Sequence, residues 1–215
     1  MRASIFLSEM RGKLSEDNEK IINHGLVREV EDGRLSIDKI RLFVTQQYYI
    51  VSYDLRSLAV ILSRSNDDKE AEFFHTLIAG DKEALRSLKL LASELGLNEE
   101  ALRSSKLIPK AVAYTHYLSW LACYANPGEQ AAALTVNLPV WGSACSRLGI
   151  ALKEKYGIKN TGFFELFSGP FNAIEDAAIK IMEKYIDRYK SSMEQCARLI
   201  QSYELMFWDG VYEVI

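Results

Sequence analysis

Polar residues inside apolar helical stripes are the features of this sequence that best indicate chemistry, because burying a polar group without a partner costs several kcal/mol. Glu204 is the clearest example. Its helical neighbours on one face are all apolar, namely Ile200, Phe207, Trp208 and Val211. We expect its carboxyl group to point into an enclosed cavity, where desolvation raises the pKa and suits the group to general acid or base chemistry. The alternative is a structural glutamate held by a tyrosine or an arginine.

A second set of polar residues lies on two other predicted helices. Gln47 and Asp54 are seven residues apart, so they share one helical face, and either could line a central cavity or cap a neighbouring loop. Tyr114 and Tyr117 flank one face of a later helix. The eleven tyrosines could line a pocket for a flat heterocycle, although packing in the core with hydrogen-bonded phenols is their more common use.

The residue types that usually bind metals or act as nucleophiles are poorly placed for either role. The histidines fall on three different predicted helices, with no pair at i, i+3 or i+4 spacing: His24, His75 and His116. The cysteines lie in the middle or late part of helices among apolar neighbours: Cys123, Cys145 and Cys196. The sequence therefore predicts no metal site, no cofactor and no reactive thiol.

Helical periodicity runs through the whole chain, and no segment shows the alternation of a strand. Helices are predicted over about 5–31, 37–64, 66–95 with a break at Gly80-Asp81, a short segment after Asn98, 109–124, 129–156, 172–189 and 191–212. Their ends are marked by residues such as Ser36 and Gly157. Pro139 lies inside the sixth helix, where it is expected to free the carbonyl of Thr135 and cause a kink. We predict an all-α bundle of about seven helices.

The composition is that of an ordinary globular protein. Its 215 residues and mass of 24.4 kDa suit one domain over residues 1–215, and 48% of the residues are hydrophobic. A net charge of −3 provides no basic surface for nucleic acid. No apolar run reaches the roughly 20 residues of a membrane span, and the N-terminal segment lacks the core of a signal peptide. With three scattered cysteines, these features predict a cytoplasmic protein that binds neither nucleic acid nor membrane.

Three stretches of the chain together carry a family pattern. They are DGRLSIDKIRLFVTQQYYIVSYDLRSLA, AYTHYLSWLACYANPGEQAAALTVNLPVWGSACSRLG and YELMFWDGVY. In order and spacing they resemble the TenA/thiaminase II family over about Ile21 to Tyr212. The resemblance implies a haem-oxygenase-like all-α fold, a homotetramer and a small pyrimidine ligand, because family members hydrolyse thiamine or its aminopyrimidine breakdown products.

The resemblance also implies roles for five residues of this chain. Glu204 falls on the family's C-terminal glutamate, the proton donor and acceptor of the reaction. Phe207 and Trp208 match the aromatic pair that follows it. Tyr114 matches a pocket tyrosine, and Trp141 matches the tryptophan of the sixth-helix motif.

Three further positions depart from the family pattern. Gln47 stands where the family has an aspartate that contacts the aminopyrimidine, Pro139 where it has the nucleophilic cysteine, and Ser143 where it has a tyrosine. Without the thiol, the covalent route through cysteine is closed. We therefore expect a divergent member without the catalytic cysteine, in which Gln47 and Ser143 join the substrate-binding residues.

Two functions remain open from the sequence. The first is an enzyme of thiamine salvage that hydrolyses a C–N bond on a pyrimidine breakdown product, with Glu204 relaying protons to an attacking water. The second is a catalytically degenerate protein that binds or senses a pyrimidine or a related aromatic metabolite. Neither a recognition-helix motif nor a basic face supports a regulatory role through DNA contact.

Overall fold

The computed structural model describes residues 2–214, which form helices and connecting turns without a strand. The helices are α1 (Arg2–Lys13), α2 (Ser15–Ile22), α3 (Gly25–Glu31), α4 (Ile37–Ser63), α5 (Asp68–Glu94), α6 (Glu99–Ser104), α7 (Pro109–Tyr124), α8 (Pro127–Val136), α9 (Leu138–Tyr156), α10 (Gly162–Leu166) and α11 (Asn172–Glu213). The predicted all-α class is confirmed, with more helical segments than the seven or so expected. Within residues 2–214, no helix combines the length and hydropathy needed to cross a membrane.

Several helix ends lie where the capping residues predict them. Ser36 caps α4, with its hydroxyl oxygen accepting a hydrogen bond from the backbone N–H of Lys39 at 3.3 Å. Asn126 and Glu129 form a reciprocal capping box at the start of α8. Gly157 ends α9 with a φ of 68°, in the left-handed region that glycine adopts without a steric penalty. These ends fix the registers of α4, α8 and α9.

Helix α5 runs unbroken through Gly80 and Asp81, so the predicted break at this position is wrong. A glycine inside a helix costs about 1 kcal/mol relative to alanine, and tertiary packing outweighs a cost of that size. Fully buried apolar residues anchor α5 on both sides of the glycine, namely Phe74, Ala84, Leu88 and Leu91. Asp81 consequently has a fixed helical position on the inner face of α5.

The predicted sixth helix is divided at Asn137 into α8 and α9, so the prediction of one kinked helix is wrong. Pro139 lies in the first turn of α9, where its missing N–H removes no helical hydrogen bond. The side chain of Arg11 donates to the carbonyls freed at the end of α8, at 3.0 Å to Thr135 and 3.2 Å to Val136. The proline therefore begins a helix, and an arginine from α1 satisfies the carbonyls before it.

The two ends of the chain also differ in detail from the prediction. The single helix expected over 5–31 is divided into α1, α2 and α3. His24 caps α3, because its Nδ1 accepts a hydrogen bond from the backbone N–H of Leu26 at 3.2 Å. The two helices expected at the C-terminus form α11, which has non-helical backbone angles at Tyr189 (φ −122°, ψ 16°), close to the predicted break.

The helices pack around two apolar clusters that meet at Tyr114 of α7. One cluster is centred on α3, α4, α9, α10 and the C-terminal part of α11, and the other on α1, α7, α8 and the N-terminal part of α11. Helix α11 approaches α7 closely at Gly210, where a β-carbon would lie 2.7 Å from the backbone nitrogen of Ala111. The absence of a side chain at Gly210 thus allows the helix that carries Glu204 to lie against the helix that carries Tyr114.

Candidate functional site

A cavity of about 140 Å³ lies between α4, α5, α7, α11 and the junction of α8 with α9. An engineered protein cavity of roughly 150 Å³ holds a benzene molecule, so this space fits one aromatic ring. Most of the wall is apolar and consists of Ile50, Val51, Leu58, Leu77, Leu118, Leu134, Leu138, Trp141, Phe167 and Phe207. The polar residues on the wall are Gln47, Asp54, Asp81, Tyr114, Asn137 and Glu204.

Glu204 lies on the cavity wall with only 3% of its surface exposed. The side-chain amide of Asn137 donates a hydrogen bond to its Oε2. Its Oε1 has no hydrogen-bond partner within the described chain, although the indole of Trp208 is close enough to act on the pKa. Burial raises the pKa of Glu204 to about 8, while Asn137 and Trp208 act in the opposite direction. A carboxyl group with this pKa and one free oxygen can both take up and release a proton near neutral pH.

Asn137 is a site residue that the sequence analysis missed. It lies between the end of α8 and the start of α9, with φ −92° and ψ −8°, and is 6% exposed. The break between the helices turns its side chain toward Glu204 rather than along a helix surface. The sequence signal that could have identified Asn137 is Pro139, two residues later. Proline is favoured in the first turn of a helix, so Pro139 indicates that a second helix begins here and that Asn137 lies at its start.

Tyr114 extends from α7 to the same cavity. Burial raises the pKa of its phenol well above the usual range, and the negative charges of Asp54 and Glu204 raise it further. The phenol therefore keeps its proton and offers a hydrogen-bond donor to whatever occupies the cavity.

Three more predicted site residues line the cavity: Gln47, Trp141 and Phe207. Gln47 is 4% exposed, and its amide forms no hydrogen bond with any residue between 2 and 214. The rings of Trp141 and Phe207 meet edge to face, with centroids 6.1 Å apart and planes inclined at 70°. A planar ligand would therefore find an aromatic corner and a free amide in one small space.

The structure does not bring Trp208 or Ser143 to the cavity wall. Trp208 is fully buried behind it, with its ring centroid 5.5 Å from those of Trp141 and Phe207. Ser143 lies with Pro139 in an open cleft on the outer side of α9. Residues two positions apart differ by about 200° around a helix, so Ser143 points away from the cavity that Trp141 faces. Pro139, which stands where the family has its cysteine, is on that outer side as well.

A pair of acids occupies another part of the wall. Asp54, which the sequence analysis left open as a cavity residue, accepts a hydrogen bond from the hydroxyl of Thr115. Burial raises the pKa of Asp54, and the negative charge of the nearby Asp81 raises it further. Burial also raises the pKa of Asp81 to about 7. The sequence analysis missed Asp81, although its place four residues after Leu77 puts it on the buried face of α5.

The cysteines do not contribute to the wall. Cys145 is fully buried, and burial raises the pKa of its thiol well above the usual value. Cys123 is exposed on α7, and Cys196 lies in the core. A buried thiol of raised pKa is a weak nucleophile, so the structure agrees with the prediction of unreactive thiols at Cys145 and Cys196.

Known proteins resemble this chain over nearly its whole length. The sequence model of the TENA/THI-4/PQQC family matches residues 11–214. An aminopyrimidine aminohydrolase from Halalkalibacterium halodurans is 25% identical in an alignment of 201 positions that covers 88% of each chain. A solved TenA homologue from Pyrococcus furiosus is 20% identical with a TM-score of 0.81, over 96% of this chain and 100% of that one. A domain from Shewanella denitrificans with a haem-oxygenase-like fold also has a TM-score of 0.81. It is 16% identical, over 96% of this chain and 92% of that one. The predicted haem-oxygenase-like fold is confirmed.

Proposed function

Because the chain belongs to the TENA/THI-4/PQQC family, we propose that it hydrolyses a C–N bond on a pyrimidine product of thiamine breakdown. The observation that supports this most is the state of Glu204, a buried carboxyl group with a pKa of about 8 and a free oxygen on the wall of a ring-sized cavity. The name of the Halalkalibacterium halodurans relative, aminopyrimidine aminohydrolase, supports the class of ring and of bond.

Glu204 is proposed to move the proton in this reaction. With a pKa of about 8, roughly a tenth of the molecules carry the carboxylate at pH 7. The carboxylate takes a proton from water as the water oxygen bonds to the carbon that bears the amine. The C–N bond breaks with its electron pair on nitrogen, and the carboxylic acid returns the proton to the departing amine. Asn137 holds Oε2, and Oε1, which has no hydrogen-bond partner among residues 2–214, is the oxygen proposed to exchange the proton.

The remaining wall residues are proposed to hold the ring. Trp141 and Phe207 pack against its faces and edge, and the hydroxyl of Tyr114 and the amide of Gln47 provide hydrogen bonds to its nitrogen atoms. Gln47 contributes no charge, so its contact is weaker than that of an aspartate with a protonated ring. Direct attack by water is the proposed route, because none of the cavity residues among 2–214 is a cysteine.

The test is product formation, followed by mass spectrometry, from an aminomethylpyrimidine, a formylaminopyrimidine and thiamine. We expect the wild type to release the hydroxymethylpyrimidine from one of the two breakdown products. Glu204→Gln should form no product, and Ser143→Ala, a control outside the cavity, should keep wild-type activity. Product formation by Glu204→Gln at the wild-type rate would contradict the role of this residue.

A second candidate is a binding protein for the same class of ring. The uncharged Gln47 and the lack of a thiol on the described cavity wall favour it. A binding protein should show an increased melting temperature in the presence of an aminopyrimidine and should form no product from any of the three compounds. Turnover at a measurable rate would contradict it.

We also propose a homotetramer located in the cytoplasm. An exposed aromatic patch supports subunit contact, since Trp120 is 47% exposed, Tyr124 is 74% exposed, and the ring of Trp120 stacks on Tyr117. Unpaired cysteines are typical of a reducing compartment. Light scattering should give about four times the chain mass of 24.4 kDa, and a value equal to one chain mass would contradict the tetramer.

A further inference from the structure

We infer that Asp54 and Asp81 bind a positively charged group of the ligand, such as a protonated amine. Hydrolysis at Glu204 rests on the function proposed above. Binding of the cation by the acid pair does not depend on turnover.

The charge on the cavity wall supports a cationic ligand. Three acids line the cavity, and among the lining residues of the described chain there is no lysine, arginine or histidine. Asp54 is 7% exposed and accepts one hydrogen bond, from Thr115, while the half-buried Asp81 accepts none from residues 2–214. A buried carboxylate normally has a charged partner. Here the place for that partner is the cavity itself.

Polar side chains without partners also point to a ligand in this space. The amide of Gln47, 4% exposed, forms no hydrogen bond in the described structure. Oε1 of Glu204 is less informative, because the indole of Trp208 is close enough to lower the pKa of this carboxyl group. Buried polar groups in proteins nearly always have a partner, so the unpartnered amide of Gln47 indicates that its partner is a bound molecule.

Asp54 and Asp81 reach the cavity from α4 and α5, and Glu204 reaches it from α11. Along α4, Asp54 is two turns beyond Gln47, a rise of roughly 10 Å. A ligand that contacts both Gln47 and the acid pair therefore extends along α4, with its positive charge at the Asp54 end.

An organic ammonium group fits the pair better than a divalent metal ion does. Ca²⁺ takes about six to eight oxygen ligands and Mg²⁺ requires a near-octahedral shell. The pair offers two carboxyl groups, and the hydroxyl of Thr115, which does not line the cavity, already donates to Asp54. An ammonium group has three N–H donors, which two carboxyl groups and one phenol oxygen can accept.

The experiment compares two ring compounds that differ in charge, benzylamine and benzyl alcohol, by calorimetry at about pH 7.5. The wild type should bind benzylamine about tenfold more tightly, the usual gain from a charge-assisted hydrogen bond. Asp81→Asn and Asp54→Asn should each lose most of this preference. Asp176→Asn, an exposed acid of α11 outside the cavity, is the matched control and should keep it.

Equal binding of the two compounds by the wild type would overturn the inference, as would a preference that survives both substitutions. Stabilisation of the wild type by CaCl₂ or MgCl₂ and not by benzylamine would replace the ammonium site with a metal site. If either variant fails to fold, the preference measured in Glu204→Gln decides the matter, because that variant removes the third acid of the cavity wall. An amine preference that persists in Glu204→Gln, with no turnover in any variant, would contradict the proposed function and leave the acid pair supported.

Discussion

Replacing Glu204 with glutamine should stabilise the protein at alkaline pH and change its stability little in mild acid. Burial raises the folded-state pKa of Glu204 from 4.5 to about 8, so the folded protein keeps a proton that the unfolded chain releases. The contribution of Glu204 to the free energy of unfolding is therefore complete below pH 4.5 and is lost as the pH rises toward 8. Each pKa unit corresponds to about 1.4 kcal/mol, so the loss is about 5 kcal/mol. Glutamine does not ionise, and a protein with glutamine at this position escapes the loss.

The hydrogen bond with Asn137 is kept in this variant, because the amide oxygen of glutamine accepts from the same donor. Urea unfolding followed by circular dichroism at about pH 5 and about pH 9 gives the free energy of unfolding of both proteins. The advantage of Glu204→Gln should be small at the lower pH and approach about 5 kcal/mol at the higher pH. Ser143→Ala should follow the wild type at both. A constant difference between Glu204→Gln and wild type would refute the reasoning, because it would mean that Glu204 ionises normally in the folded protein.

Three further outcomes are expected. Thiamine should be a poor substrate or none, because Pro139 stands in place of the nucleophilic thiol; hydrolysis as fast as that of an aminopyrimidine would contradict this. Tyr114→Phe should weaken aminopyrimidine binding by about 1 kcal/mol in calorimetry, the worth of one hydrogen bond, and unchanged affinity would show that the phenol does not contact the ligand. Arg11→Ala should lower the free energy of unfolding by about 1–3 kcal/mol, since the carbonyls of Thr135 and Val136 lose their donor, and a smaller loss would show that water replaces the arginine.

Periodicity and capping residues were sufficient to predict the helices that carry most of the site. The stripe of α4 places Gln47 and Asp54 on one face, and Ser36 fixes where that helix starts. Glu204 could be identified because its neighbours on α11 are apolar and the core must cover them. These are local properties, and local patterns are enough when a helix is long and amphipathic.

The residues that were missed depend on packing between helices. Gly80 favours a break, but buried residues on both sides hold α5 continuous, and only then does Asp81 join Asp54 on the cavity wall. Asn137 becomes a site residue only because the chain divides at that point. Ser143 is the opposite case, a predicted site residue that lies outside the cavity. A match to a family position identifies a residue in the sequence but does not predict the direction in which its side chain points. Contacts between distant segments therefore decide which polar residues meet.

A crystal structure of Glu204→Gln soaked with an aminomethylpyrimidine tests the central claim most directly, because the variant should bind the compound without consuming it. We expect the ring in the cavity, against Trp141 and Phe207, with the side chain at position 204 within roughly 2.6–3.2 Å of the amine that would leave. A ring bound in the outer cleft of Pro139 and Ser143, with the cavity empty, would contradict the account.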